Sequence, residues 1–406
     1  MKALIVNKEK ELKLVDMKAP ESNGKEVIAK VLTCGICGSD IHYWDIGQPS
    51  GLVLGHEYCC SVVDPGERKD LKKGDRITAL PISPCLKCDA CRSGNIHYCA
   101  HTWEDATGTS LSRTGAYAEY IKLRPDMVRK VPDSMTDEQV AMVEPSAVGL
   151  HAVHLGEVKV GDKVLIIGGG IIGLMSAEFS KLQGASYVAM TETNPARGKS
   201  AVKLKAVDEC FDALQKDVIE KLGKASNGGF DVVIDCCGNS PAVTTTLQAV
   251  KEGGRVVLVG VSLQPISIPT ALIVLRELKV LGDIAYTEKE FDSCIELIAN
   301  KKINVDKYIS KIVGLDEGQQ SFETLTSGKD SAIKIILRPD LKSKCKKQNS
   351  KAKVEVKNEK SVSEVLSAKN KTTSRKIVDK NQTKLKKNTK KTTTGTKKSA
   401  KGTKKA

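Results

Sequence analysis

Cys85, Cys88, Cys91 and Cys99 follow the spacing C-x2-C-x2-C-x7-C inside a stretch that bears glycine and proline. Four thiolates at such spacing match a closed tetrahedral zinc site. With every position filled by protein, the ion would stiffen a lobe and take no substrate. Unmetallated cysteines and an iron–sulfur cluster are the alternatives, although the two-cluster ferredoxin run ends differently. A second constellation is spread wider. Cys34-Gly35-Ile36-Cys37-Gly38-Ser39-Asp40-Ile41-His42 offers a thiolate, a hydroxyl and an imidazole, Gly55-His56-Glu57 follows, and Val143-Glu144-Pro145-Ser146 comes after the cysteine lobe. Thiolate, imidazole and carboxylate are the donors of an open zinc site that keeps a position for water or substrate. A lone His or Glu among them reads as structural; only the set points to chemistry.

Gly168-Gly169-Gly170-Ile171-Ile172-Gly173 is a G-x-G-x-x-G run directly after an apolar stretch. Gly168 permits a tight turn, Gly170 lets backbone approach a pyrophosphate, and Gly173 lets helix and strand pack closely. The helix that opens at Ile172 would present free N–H groups to phosphate. Glycines in such a turn are often only a turn, but Glu192 ends the next strand, 19 residues past Gly173. A carboxylate there accepts both ribose hydroxyls of NAD and repels the 2′-phosphate of NADP. Arg197 follows and either lies beside the adenosine or is an ordinary surface arginine.

These groups need elements to hold them. The first 130 residues read as short β-runs, such as 27–32 and 117–122, broken by glycine and proline. Residues 136–155 turn helical. From Lys163 strands (164–167, 187–191, 231–235, 255–259) alternate with helical stretches such as 172–183. That alternation predicts a parallel, doubly wound sheet.

The chain has 406 residues and a net charge of +15, but the charge is uneven. Residues 341–406 carry 23 of the 64 Lys and Arg and 4 of the 49 Asp and Glu, and no aromatic residue. This Lys-rich tail is expected to be disordered. It either makes weak, non-specific polyanion contacts, which fade with salt, or simply solubilises the chain. Sequence-specific DNA reading has no support, and no amphipathic stripe marks a membrane-surface helix. The opening residues return to charge too soon for a secretory leader. The longest apolar run, Val164–Met175, has 12 residues and four glycines, too short to span a bilayer. A soluble, cytoplasmic protein is expected, in which 13 cysteines remain thiols or bind metal.

Taken together, GICGSD, GHE, the four-cysteine lobe, VEP and GGGIIG with Glu192 resemble the zinc-dependent medium-chain alcohol dehydrogenases across residues 1–339. Within that family His42-Tyr43-Trp44 and Glu144-Pro145 look most like the sorbitol/polyol and butanediol dehydrogenases. The resemblance implies an α/β fold. A GroES-like β-barrel catalytic domain would span 1–148, completed by 286–340, with a Rossmann NAD-binding domain over 149–285. It implies Cys37 and His56 as catalytic zinc ligands, and Glu57 as a third ligand or lying just behind the metal. Glu144 is then the remaining ligand or holds the zinc-bound water. Ser39 would touch the substrate hydroxyl and His42 would finish a proton relay to solvent. Gly168, Gly170, Ile172, Gly173, Glu192 and Arg197 would bind NAD. The implied reaction is reversible hydride transfer between a polyol or secondary alcohol and NAD, in a homo-dimer or homo-tetramer. A threonine-type amino-alcohol dehydrogenase is the alternative. The segment between Cys37 and Gly55 is shorter than in sorbitol dehydrogenases, Cys60 replaces a glycine, and Ile284-Ala285-Tyr286 lacks the arginine that often precedes that tyrosine.

Overall fold

The computed structural model describes residues 1–328 and 330–342. The expected tail lies, from residue 343 onward, outside the described residues.

Two sheets organise the rest. The first is six-stranded and parallel, with strands ordered 209–212, 187–192, 163–167, 230–235, 250–258, 279–282. The chain starts in the middle at Lys163–Ile167, works outward to one edge, then crosses back to Phe230–Asp235. Helices cover both faces, so central strands are apolar throughout: Val164, Leu165 and Ile166 are all fully buried. The point where strand order reverses lies beside Lys163–Ile167, and crevices at such points bind ligands.

The second sheet is mixed. Its order is 309–314, 334–338, 27–35, 57–64, 76–79, 128–130, with 120–123 also paired to 27–35. Its notable feature is the strand Lys334–Arg338. That late segment pairs antiparallel with Val27–Gly35, placing Ile336 opposite Gly35. Val27–Gly35 in turn pairs with Glu57–Asp64, placing Gly35 opposite Glu57.

Two local expectations shift. The helical stretch 136–155 is two helices, Asp137–Ala141 and Val143–Leu155, meeting at Met142. Pro145 explains the break: it has no N–H for the Ala141 carbonyl, and its ring crowds that turn. The strand expected over 117–122 runs instead from Tyr120 to Leu123. Tyr117 is drawn to other partners; its N–H donates to the Leu54 carbonyl and its carbonyl accepts from Leu4 N–H.

Candidate functional site

The glycine turn has the shape its residues suggest. Gly168 has φ +100°, closed to most side chains. A Cβ on Gly173 would meet the Gly168 carbonyl oxygen at 2.0 Å, so helix Ile171–Leu182 packs against the turn with no room to spare. Gly170 caps that helix and has open space where its Cβ would be, a cradle that a phosphate can fill. Ile172 follows, partly buried in the first turn. Glu192, 8% exposed, folds back over the turn: its Oε2 accepts from Gly169 N–H at 2.7 Å and its Oε1 from Asn194 N–H at 2.8 Å. Asn194 caps helix Pro195–Lys203, on which Arg197 sits half-buried with its Nε unpartnered. A dinucleotide therefore fits: an open glycine cradle, a helix N-terminus, a fixed carboxylate and a guanidinium with a free Nε lie along one turn and the helix after the next strand.

The four lobe cysteines also come together, with all four Sγ atoms within 4.8 Å of one another. Backbone N–H groups point at the sulfurs: Cys85 N lies 3.3 Å and His101 N 3.4 Å from Cys99 Sγ. Backbone N–H groups of Lys87 and Cys88 hold the Cys85 thiol down to about 6. Burial and the neighbouring thiols push Cys91 up to about 12. Four crowded sulfurs cannot all ionise without a cation among them, and a tetrahedral zinc meets that demand.

Cys37, His56 and Glu57 form the second donor set, again within 4.8 Å. Cys37 caps helix Gly38–Ile46, and its backbone N–H donates to Asp40 Oδ2 at 3.0 Å, closing a capping box. Asp40 is fully buried; its Oδ1 lies 3.4 Å from His56 Nδ1, and its Oδ2 accepts from the Tyr117 hydroxyl at 2.6 Å. One carboxylate thus steadies the backbone of one donor and faces the ring of the other, as supports behind metal ligands do. Burial works against a charged His56, but Asp40 and the Cys37 sulfur outweigh it and raise its pKa well above the ordinary value. Ser39 Oγ stands 3.4 Å from His56 Nε2, and His42, one turn on, is exposed.

Glu57 and Glu144 separate. Glu57 is fully buried and both its oxygens accept from Lys334 Nζ, at 2.9 and 2.7 Å. Glu144 lies outside the three-donor set; its Oε1 accepts from the Tyr286 hydroxyl at 3.0 Å. Burial, with Glu57 adding, pushes its carboxyl up to about 7. Sequence reasoning named Cys37, His56 and Glu57, which the fold brings together. It missed Lys334 and Asp40 as supports. A lone lysine in the apolar strand Ile333-Lys334-Ile335-Ile336 was a signal for the first. The Cys37-to-Asp40 spacing of a capping box was a signal for the second.

The chain is similar to known proteins over most of its described length. Residues 23–133 match the family model for an alcohol dehydrogenase GroES-like domain, and residues 172–300 match that for a zinc-binding dehydrogenase. Sorbitol dehydrogenase of Bacillus subtilis is 30% identical over 351 residues, covering 84% of this chain and 98% of that protein. A probable D-xylulose reductase A of Aspergillus terreus is 31% identical, covering 80% of this chain and 95% of its own. The structure of 2R,3R-butanediol dehydrogenase from Bacillus subtilis matches at a TM-score of 0.74 and 29% identity, over 84% of this chain and 99% of that one. A putative zinc-binding dehydrogenase from Sinorhizobium meliloti 1021, bound to NADP, matches at a TM-score of 0.75 and 30% identity, over 83% and 99%.

Proposed function

Because this chain belongs to the zinc-dependent medium-chain alcohol and polyol dehydrogenase family, we propose that it interconverts a polyol or secondary alcohol and its ketone, with NAD as hydride acceptor. One observation carries the reading: a thiolate, an imidazole and a carboxylate converge within 4.8 Å in a chain that also builds an open dinucleotide cradle. The named activities of the sorbitol, xylulose and butanediol relatives support the substrate class.

Cys37 and His56 would hold the catalytic zinc, with Glu57 as third donor. Glu144, steadied by Tyr286, would hold a water beside that donor set. A zinc held there would supply Lewis acidity to a substrate hydroxyl, and a nicotinamide in the cradle would supply the hydride acceptor. The chain's own task is the proton. Ser39 accepts it from the hydroxyl as its own proton moves on toward His42, which is exposed one turn on and releases a proton to solvent. Cys85, Cys88, Cys91 and Cys99 hold a second, structural zinc. Gly168, Gly170, Ile172 and Gly173 cradle the pyrophosphate, Glu192 favours NAD over NADP, and Arg197 borders the adenosine. The domains run 1–148 with 286–340, and 149–285.

None of the twelve described cysteines forms a disulfide, which favours a reducing, cytoplasmic setting. No described helix is long and apolar enough to cross a membrane. Val274 and Leu275 are 72% and 81% exposed beside the edge strand Lys279–Gly282, which favours a homo-dimer or higher homo-oligomer through that edge. The +19 charge of residues 341–406 favours weak polyanion contact. Equal retention on DNA at low salt by the full chain and one ending at Pro339 would remove that contact.

The deciding experiment follows reduced-nicotinamide absorbance with polyols, vicinal diols, simple secondary alcohols and threonine. Turnover on hydroxyl compounds lacking an amine is expected. Turnover on threonine alone would move the assignment to amino alcohols, and silence with metal bound would reject both.

A further inference from the structure

Two buried side chains and one partly buried one outside that site carry polar atoms without partners. His97 lies on the turn Ile96–Tyr98 of the cysteine lobe, is 3% exposed, and has neither ring nitrogen bonded. His151, on helix Val143–Leu155, is 5% exposed; its Nδ1 donates to Glu290 Oε2 at 2.9 Å and its Nε2 has no partner. Asp283 follows the edge strand Lys279–Gly282, and both its carboxylate oxygens are enclosed and unpaired. The His97 and His151 rings stand edge to face with centroids 5.2 Å apart, and the Asp283 carboxylate acts on the charge of His151. An enclosed polar atom left unpaired costs about 1–3 kcal/mol, and native interiors keep few of them. Five such atoms on these three side chains, two of whose rings touch, call for something that satisfies them.

We propose that His97, His151 and Asp283 bind a zinc-type divalent metal ion, at a site separate from both cysteine-containing clusters. Two imidazole nitrogens and a carboxylate are a zinc donor set. His151 is prepared as metal-binding histidines are: its other nitrogen donates to a carboxylate, which fixes the ring and strengthens the free nitrogen as a ligand. Glu290 is itself pinned by the N–H and hydroxyl of Thr287, each at 2.8 Å. Among the described residues only the two cysteine-containing groups already bring three donors within 4.8 Å, so uptake draws His97 and Asp283 inward toward His151. Neither side chain has a hydrogen bond to surrender in moving. Burial, with Glu290 adding and His151 opposing, also pushes the Asp283 carboxyl up to about 7. The ion would tie the cysteine lobe to the segment that holds Glu144, since Tyr286 follows Asp283 by three residues and bonds Glu144.

The test is metal content of the purified, zinc-loaded and dialysed full chain, measured by mass spectrometry. It compares the unaltered protein with Asp283→Asn, His97→Gln and, as a control for surface histidine, His101→Ala. Counting the two cysteine-containing sites of the reading above, about three equivalents are expected. Asp283→Asn and His97→Gln should each drop to about two, and His101→Ala should keep about three. In the cobalt-loaded protein the lost equivalent should carry no thiolate-to-metal charge-transfer absorption, whereas Cys37→Ala should remove one that does. Failure of the dehydrogenase reading would show in the Cys37→Ala result, not in the Asp283→Asn comparison. Should His97→Gln unsettle the neighbouring Cys99, Asp283→Asn alone decides. A third equivalent that is absent, that survives Asp283→Asn, or that bears thiolate bands overturns the proposal.

Discussion

Lys334 Nζ lies 2.7 Å from one oxygen of Glu57 and 2.9 Å from the other, and both side chains are wholly out of water. The third donor of the ammonium goes to the Ile36 carbonyl at 2.8 Å, so every hydrogen is used. Breaking such a pair leaves a buried charge alone, which costs roughly 3–5 kcal/mol. Lys334→Met should therefore lower the free energy of unfolding by about that much in urea titration. Lys334→Arg should recover part of it. A loss below about 1 kcal/mol for Lys334→Met would show that the pair is not the anchor it looks.

The two cysteine groups should fail in different ways. Cys37→Ala is expected to abolish turnover while leaving the thermal unfolding midpoint nearly unchanged. Cys88→Ser should lower the midpoint and release a metal ion, because the lobe loses its cross-link. Scanning calorimetry beside a chelator-release assay separates the outcomes. A Cys88→Ser protein that melts like the unaltered one would exclude a structural metal there.

Glu192 accepts from the turn at Gly169, and the proposed function assigns it to the ribose hydroxyls. Glu192→Ser should raise the KM for NAD by about tenfold or more, the worth of a charge-assisted hydrogen bond pair. It should also improve use of NADP, since the repelling charge is gone. Unchanged discrimination between the two nucleotides in steady-state kinetics would refute the role.

Gly173→Ala places a methyl against the Gly168 carbonyl oxygen. The helix must retreat from the turn, so stability should fall by about 1–3 kcal/mol and cofactor binding should weaken with it. Gly170→Ala meets no protein atom. It should leave stability almost untouched and weaken cofactor binding alone. Calorimetric titration of the two variants tells a packing role from a binding role.

Glu290 predicts a pH dependence. Burial opposes its ionisation, but hydrogen bonds from His151 and His154 win and hold its pKa well below the ordinary 4.5. A depressed carboxylate contributes stability that is present above its unfolded pKa and lost as pH falls through the folded one. With no ion on its Nε2, His151 moves the other way: burial opposes it, Glu290 outweighs burial, and its pKa rises above 6.5. Its contribution is present below 6.5 and lost as pH rises through the raised value. Glu290→Gln should cost about 1.5–3 kcal/mol near pH 6 and flatten both flanks of the stability curve. An unaltered acid flank in urea titrations across pH would sink the assignment.

The parts legible in the sequence were the local ones. Gly168 to Gly173, the strands around it and the four lobe cysteines announce themselves because spacing within a few residues sets their geometry. The Cys37, His56 and Glu57 set was also readable, through short motifs on neighbouring segments. What escaped was long-range. Lys334 meets Glu57 across 277 positions, a contact set by the register of three strands and not by any local pattern. His151, Asp283 and His97 come from three elements that no periodicity links. The split of Glu57 from Glu144 likewise needed Tyr286 and Lys334 in place before the two carboxylates could be told apart.

The strand Lys334–Arg338 closes the sheet that carries the donor set by pairing antiparallel with Val27–Gly35. The ammonium that faces Glu57 therefore arrives 277 positions after it in the chain, so a nascent chain that has not yet reached Lys334 lacks that partner for the carboxylate.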